Sequence, residues 1–512
     1  STYFKPAVKL PLQEIKDKIK DIEVITEDDK QLFVLDNDCL HFDIDKKNNV
    51  TDIYRYGPND ETYILAKLSK HFDVECIYSS KVGTIGVGES AQLSMNTILQ
   101  YLDLHDTDWM SKCNATYKTN IGFESWSKKG EQFFYPFGET QVNDDEFFDL
   151  LRSFPEEVKK EHYARYCLPH SRLAEFNRLT ADGWDFDQLT SYHFDSHSLS
   201  KIIFDYAENN GVKFFDDEYV SCSKSSKGID CITCKESGNH YADLFVDCTG
   251  FKSLLLKEMK SRFISFSDKL INHRAITCKV PYTNKQEQLK NYTNNVAMNN
   301  GWCWEIPLWN SMSLGYVHSL KFATTGEIEK EFRDFVSKRY SVDPQKIRAV
   351  DFTSGRYEHG WIKNVVAIGL SYSFIEPLEA TGIYTCIAGI FKLLSVLSNG
   401  SVNYLDRKIF NDFLSQEVDK QSKFIEMHYA PAHKNDTDYW NYVTNEIEYQ
   451  LPSTISGGLP YILAGNGYKV PYTNKIADRS WIDYDKQMNR TVQEFKKTSE
   501  FLLENIYSHG RT

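Results

Sequence analysis

The spacing of apolar positions changes character several times along the chain. Leu10, Leu12, Ile15, Ile19 and Ile22 recur at near-helical intervals among Lys and Asp, which predicts one short amphipathic helix. Alternation takes over at Gln31-Leu32-Phe33-Val34-Leu35 and stops at the polar break Lys46-Lys47-Asn48-Asn49. From there the pattern is α/β: a strand over 50–56, a helix over 63–71 and a second strand over 74–78. Residues 95–200 are helix-rich and aromatic, interrupted by the extended Ala115-Thr116-Tyr117-Lys118-Thr119-Asn120-Ile121. Short strands with Lys-Gly and Ser-Gly turns fill 212–248 and close in Leu244-Phe245-Val246-Asp247-Cys248. A β-rich layer covers 273–320, and Val365-Val366-Ala367-Ile368-Gly369 is a further buried-type strand. A helix over 381–398 follows, and 403–512 is mainly helical. The predicted organisation is an extension of unknown role at 1–50, an α/β core at 51–395 with inserted helical and β-rich regions, and a helical region at 396–512.

Charge and composition narrow the partners. Fifty-nine Lys plus Arg against 72 Asp plus Glu leave the 512-residue chain at −13, which argues against nucleic acid or anionic membrane as a main partner. With 41% hydrophobic and 14% aromatic residues there is material for a large core. Eleven cysteines, odd in number and without repeating spacing, predict reduced thiols rather than a disulfide framework. No apolar run reaches the roughly 18 residues of a bilayer span. Ser1-Thr2-Tyr3-Phe4-Lys5 does not open a secretory signal. The expectation is a soluble, cytoplasmic globular protein.

Four constellations offer chemistry. Gly86-Val87-Gly88-Glu89-Ser90-Ala91 has the form G-x-G-x-x-A ahead of a helix over 95–104. Such glycines let backbone approach a pyrophosphate, but the Glu89 carboxylate faces the phosphates, so a loop near a cofactor's ring end suits the stretch better. Glu376-Pro377-Leu378-Glu379-Ala380-Thr381-Gly382-Ile383 places two carboxylates between a strand and a helix starting at Thr381 or Gly382. The first amides of that helix lack intrahelical partners and make a ready anion site, with a plain helix start capped by Thr381 as the alternative. Gly301-Trp302-Cys303-Trp304-Glu305-Ile306-Pro307 puts two indoles on one strand face, a flat wall or an ordinary core pair. Lys118 shares a strand face with Thr116 and Asn120. If that face looks inward, desolvation lowers the lysine's pKa and frees its amine; a solvated lysine is the plainer alternative.

Two other patterns carry no chemistry. Cys231-Ile232-Thr233-Cys234 sits in a strand, where positions i and i+3 face opposite sides. His193 and His197 are split by a helix cap at Asp195 or Ser196, and no metal site is predicted.

Together these pieces resemble the flavin-dependent tryptophan halogenase family. Trp302-Cys303-Trp304-Glu305-Ile306-Pro307 matches its W-x-W-x-I-P signature, and Gly86-Val87-Gly88-Glu89-Ser90 its G-V-G-E-A strap loop. Cys113-Asn114-Ala115-Thr116-Tyr117-Lys118 is similar to the strand ending in its essential lysine. Phe374-Ile375-Glu376-Pro377-Leu378-Glu379-Ala380-Thr381-Gly382-Ile383-Tyr384 is similar to the segment holding its active-site glutamate and halide. Tyr192-His193-Phe194-Asp195 and Ala242-Asp243-Leu244-Phe245-Val246-Asp247-Cys248-Thr249-Gly250-Phe251 add to the match, which runs in order from about residue 50 to 470.

The resemblance implies an α/β, FAD-binding, flavoprotein-monooxygenase-like fold with a β-rich substrate layer and a mainly helical C-terminal region. It implies FAD, supplied as FADH2 by a separate and transiently bound flavin reductase, with O2, a halide ion as cosubstrate and a small aromatic substrate. Halide held by the amides of Thr381 and Gly382 becomes hypohalous acid, which passes to Lys118; Glu379 polarises that electrophile or takes the proton of the arenium. Gly86, Gly88, Glu89, Ser90, Val220, Leu370 and Ile383 line the flavin, while Trp302, Trp304 and Phe137 form the substrate barrier.

The departures are local. Where the family has G-x-G-x-x-G, this chain reads Tyr56-Gly57-Pro58-Asn59-Asp60-Glu61, whose carboxylates repel a pyrophosphate and whose proline removes a donor. Weak FAD binding, or a different phosphate site, is expected. A histidine of the tryptophan halogenases is missing near Phe134-Tyr135-Pro136-Phe137-Gly138, and the insertion that clamps the amino acid's charged end is shortened over 449–461. These changes point to another electron-rich aromatic or indole rather than free tryptophan. A flavin monooxygenase and a non-catalytic flavoprotein-fold scaffold stay open as rivals, as does the choice between monomer and homo-oligomer.

Overall fold

A computed structural model of the chain describes 72–81, 89–138, 163–397, 402–432, 434–450, 458–467 and 480–508, together with the backbone of six strands between residues 2 and 56. The helix expected over 63–71, the stretch Gly57-Pro58-Asn59-Asp60-Glu61 and the glycines Gly86 and Gly88 lie outside the described residues. Of the helix expected over 10–22, Leu10–Pro11 is a strand and 12–22 lies outside them.

Contacts divide the chain into two compact units. The first comprises Ser1–Cys76, Gly211–Lys213 and Ala388–Leu414. It contains a six-stranded sheet in which the alternating stretch near residue 31 is the strand Lys30–Val34. Strand Asn49–Tyr56 pairs antiparallel with Cys39–Ile44 on one side and with Thr2–Phe4 and Leu10–Pro11 on the other. This corrects the reading of 50–56 as the opening strand of an α/β unit. A parallel βαβ strand finds its neighbour through a crossover, whereas this one returns beside the strand just before it.

The second unit comprises Ile77–Asn210, Phe214–Ile387 and Ser415–Thr512 and holds every described residue of the expected site. Its main strands are β1 (Thr116–Lys118), β2 (Asn120–Glu124), β3 (Gln132–Pro136), β4 (Ser191–Phe194), β5 (Arg274–Val280), β6 (Tyr292–Met298), β7 (Gly301–Pro307), β8 (Met312–His318) and β9 (Arg348–Asp351). Seven of them form one sheet in the order β3-β2-β6-β7-β8-β5-β9, antiparallel except for the β2/β6 pair. The segment 115–121 is not one strand: β1 pairs with β4, and the chain changes sheets at Thr119 to enter β2. Both halves are buried, so no polar face marks the switch. Thr119 secures it through its amide and hydroxyl, both donating to the Asn291 carbonyl at 2.7 and 3.1 Å.

Helix α1 (Thr325–Tyr340), opened by a Thr324/Glu327 capping box, covers one face of the large sheet. Its Ile328, Phe332, Val336 and Tyr340 pack on Cys303, Leu314 and Tyr316. Because neighbours along a strand alternate, Trp302 and Trp304 face the other way. A parallel pair, Phe245–Asp247 with Val365–Ala367, belongs to a smaller sheet. That last strand stops two residues earlier than expected, where Gly369, at φ +65°, opens a turn. The turn Pro377–Glu379 then leads into α2 (Thr381–Leu397), and α3 (Tyr404–Tyr429) is the longest of the C-terminal helices. No helix among the described residues is long and apolar enough to cross a membrane.

Candidate active site

Lys118 ends β1 with its side chain fully buried. Its amine donates to the Ala91 carbonyl at 3.0 Å and lies 5.1 Å from the centre of the Phe137 ring. Burial drives its pKa down to about 7, against the opposing pull of the Glu379 charge. The inward-facing alternative for this strand is therefore the one observed. Near neutral pH the amine is therefore close to the point where it gives up its proton.

The residues before Lys118's acceptor knit the site together. Ser90 Oγ is 2.8 Å from Thr293 Oγ1, and His193 reaches Thr293 Oγ1 with Nε2 at 3.0 Å and Thr116 Oγ1 with Nδ1 at 2.9 Å. The Thr116 hydroxyl donates to the Pro307 carbonyl at 2.6 Å, which fixes the direction of the whole chain. With that hydrogen committed, His193 Nδ1 must donate to Thr116, its Nε2 must accept from Thr293, and Ser90 must donate to Thr293. Burial and the nearby Lys118 keep His193 neutral, as this arrangement requires. Ser90 consequently presents lone pairs rather than a hydrogen to any ligand beside it. Next along the chain, the Gln92 side-chain amide donates to the Glu379 carbonyl at 2.6 Å.

Glu376 and Glu379 are both buried, and the end of α3 holds them differently. Tyr429 donates its hydroxyl to Glu376 at 2.7 Å, and Asn272 adds a second bond at 2.8 Å. Burial nevertheless pushes the Glu376 carboxyl up to about 7. The preceding residue, His428, meets Glu379 Oε1 with Nε2 at 2.8 Å. No periodicity flags His428 in the sequence. It lies 49 positions from its partner, and a histidine ahead of a tyrosine at a helix end is the whole signal.

The start of α2 differs from an ordinary capped helix. Thr381 is its first residue rather than its cap, and the buried Thr381 hydroxyl has no hydrogen-bond partner among the described residues. Ala380 just before it adopts a left-handed φ of 55°. A Cβ built on Gly382 meets nothing within 4 Å. An unsatisfied buried hydroxyl beside open space at a helix N-terminus fits an anion and the ring end of a flavin. Ile383 and Leu370 are half-buried at the neighbouring turns. Trp302 and Trp304 are buried with ring centres 6.2 Å apart, and Trp304 lies flat over Gly315.

Lys118, Phe137, Ser90 and Glu379 are thus brought together through residues 90–92. Glu89 neighbours the Lys279–Asp195 ion pair, and burial pushes its carboxyl up to about 7. Val220 stands on an edge strand with 60% of its surface exposed, and the described contacts do not join it to the others. Among the described residues no group of three or more His, Cys, Asp or Glu is placed to hold a metal ion.

Proteins of known family resemble the chain in sequence and fold. The sequence profile of the tryptophan halogenases matches residues 62–457. The tryptophan 6-halogenase SttH of Streptomyces toxytricini is 31% identical over 407 residues, covering 74% of this chain and 77% of that protein. The tryptophan 7-halogenase RebH of Lentzea aerocolonigenes is 30% identical over 406 residues, covering 74% and 75%. Among solved structures, the apo structure of VirX1 superposes with a TM-score of 0.80 at 33% identity, covering 87% of this chain and 97% of that one. The crystal structure of SttH gives 0.77 at 26% identity, with the same coverage. The expected α/β flavoprotein fold is borne out by these neighbours. A profile match over most of the chain, relatives at this identity and a shared fold together make the chain a member of the tryptophan halogenase family, whose enzymes are flavin-dependent oxidoreductases.

Proposed function

We propose that the chain halogenates an electron-rich aromatic or indole other than free tryptophan, using FAD delivered reduced by a separate flavin reductase. The observation that carries this reading is the burial of Lys118, whose amine faces a carbonyl and an aromatic ring rather than a paired carboxylate. When bound, the reduced flavin supplies the oxidation of halide by O2 to hypohalous acid. The chain's own residues do the rest. Thr381 and Gly382 hold halide at the α2 start, and Ser90, Leu370 and Ile383 face the flavin ring. Trp302 and Trp304 keep the organic substrate from the oxidant. Lys118 receives hypohalous acid through a hydrogen bond or as a haloamine, and Glu379 acts on the proton of the halogenated ring.

The substrate assignment follows from the missing histidine near Phe134 and the short stretch between Tyr449 and Tyr461. The test supplies FADH2, O2 and an activated phenol, indole or free tryptophan with chloride, bromide and iodide in parallel, and reads product masses. A mono-halogenated phenol or indole is expected, with little product from tryptophan. Hydroxylated product in halide-free buffer identifies a monooxygenase instead, and the absence of saturable FAD quenching identifies a scaffold.

A further inference from the structure

We propose that His428 and Glu379 hold one proton between them, and that His428 is the positioning residue that lets Glu379 give a proton to the leaving oxygen and take one back from the ring. The proposal rests on the halogenase reading above. Its starting point is the pair of bonds His428 makes. Nδ1 lies 2.9 Å from the Phe424 carbonyl oxygen, which can only accept, so Nδ1 carries a hydrogen. Nε2 lies 2.8 Å from Glu379 Oε1. A neutral ring with its hydrogen on Nδ1 would set a lone pair against a carboxylate. The short contact therefore needs one more hydrogen, placed either on Nε2 or on Glu379. In both forms the pair has no net charge.

The surroundings favour that state. The two side chains are 1% and 2% exposed, so water does not screen them. The rings of Phe123 and Phe424, centred 5.1 and 4.9 Å from the imidazole, wall it in, and Trp126 lies behind. The titratable groups facing the pair are Lys118 and Tyr135 on the Glu379 side and Glu376 on the His428 side. Glu376 is a useful contrast, because its bonds come from a phenol and an amide that do not share a proton in this way.

The chemistry balances around one proton. As the aromatic carbon uses a π pair to bond the halogen, the O–X bond of hypohalous acid breaks and its electrons stay on oxygen. The pair's proton moves through Glu379 to that oxygen, and water leaves. The imidazole then turns its Nε2 lone pair toward a bare carboxylate, which strengthens Glu379 as a base. Glu379 takes the ring proton, the C–H electron pair restores aromaticity, and the pair ends as it began.

The protein labelled with 15N in histidine, observed by NMR at about pH 7 without turnover, tests the shared proton. His428→Gln identifies the resonances by their loss. In wild type a far-downfield hydrogen held between His428 Nε2 and Glu379 should be seen, and it should be lost in Glu379→Gln. Its absence from wild type, or its persistence in Glu379→Gln, overturns the proposal. In the bromination assay, His428→Gln keeps a hydrogen-bond donor but cannot share a proton. Its kcat should fall at least about tenfold, with the KM for the aromatic held within about twofold and the alkaline limb of the kcat profile displaced. Full kcat in that variant would show packing alone and overturn the role. If wild type makes no halogenated product while the shared hydrogen is seen and is lost in Glu379→Gln, the halogenase reading fails and the shared proton stands.

Discussion

Lys118 is the residue at which sequence, burial and chemistry meet most directly. Its folded pKa of about 7 lies below its ordinary 10.5, so between those values the unfolded chain binds a proton that the folded one does not. Stability must therefore rise with pH across that window and carry the full penalty below it. Lys118→Met should remove that slope and stabilise the protein at pH 7 by on the order of a few kcal/mol, less the lost bond to Ala91. Urea midpoints measured from pH 7 to 10 check this; a variant that keeps the wild-type slope contradicts a buried, deprotonating lysine. Lys118 was legible because it ends a motif of known spacing. His428 was not, since its meaning comes from a fold that brings the end of α3 to a loop 49 residues earlier.

At the scale of elements, the aromatic wall depends on what stands opposite it. Gly315 pairs with Trp304 across β7 and β8, and an added Cβ would come within 2.0 Å of the indole. Gly315→Ala should cost about 1–3 kcal/mol by overpacking, read as a lower urea midpoint, and should loosen the barrier so that hydroxylated by-product rises. Gly382→Ala should do the reverse to stability. It puts a methyl into open space within a helix, a gain of about 0.5–1 kcal/mol, while raising the KM for bromide as the methyl enters the place proposed for halide. Stabilisation with unchanged bromide KM would move the halide elsewhere. The tryptophan strand and the start of α2 were readable because period-2 alternation and a carboxylate-rich loop before a helix are local signals. The change of sheet at Thr119 was hidden, because burial on both faces erases the alternation. So was the pairing of Asn49–Tyr56, since an isolated strand gives no sign of whether its neighbours run parallel or antiparallel.

Over the whole molecule, a net charge of −13 opposes both anions the proposed reaction needs, halide and the FAD pyrophosphate. Salt screens that opposition, so FAD affinity, followed by fluorescence quenching, should rise as potassium glutamate increases from about 0.05 to 0.5 M. A fall would reveal a cationic phosphate site and contradict the expectation drawn from Asp60 and Glu61. The central claim, that oxidised halogen reaches the substrate by way of Lys118, is tested most directly by one comparison. Wild type and Lys118→Ala are supplied with equal FADH2, O2, bromide and an activated phenol, and brominated product and hydrogen peroxide are counted together. The account predicts product from wild type, and from the variant flavin oxidation with peroxide but at least about a hundredfold less product. Equal bromination by the two proteins would contradict it.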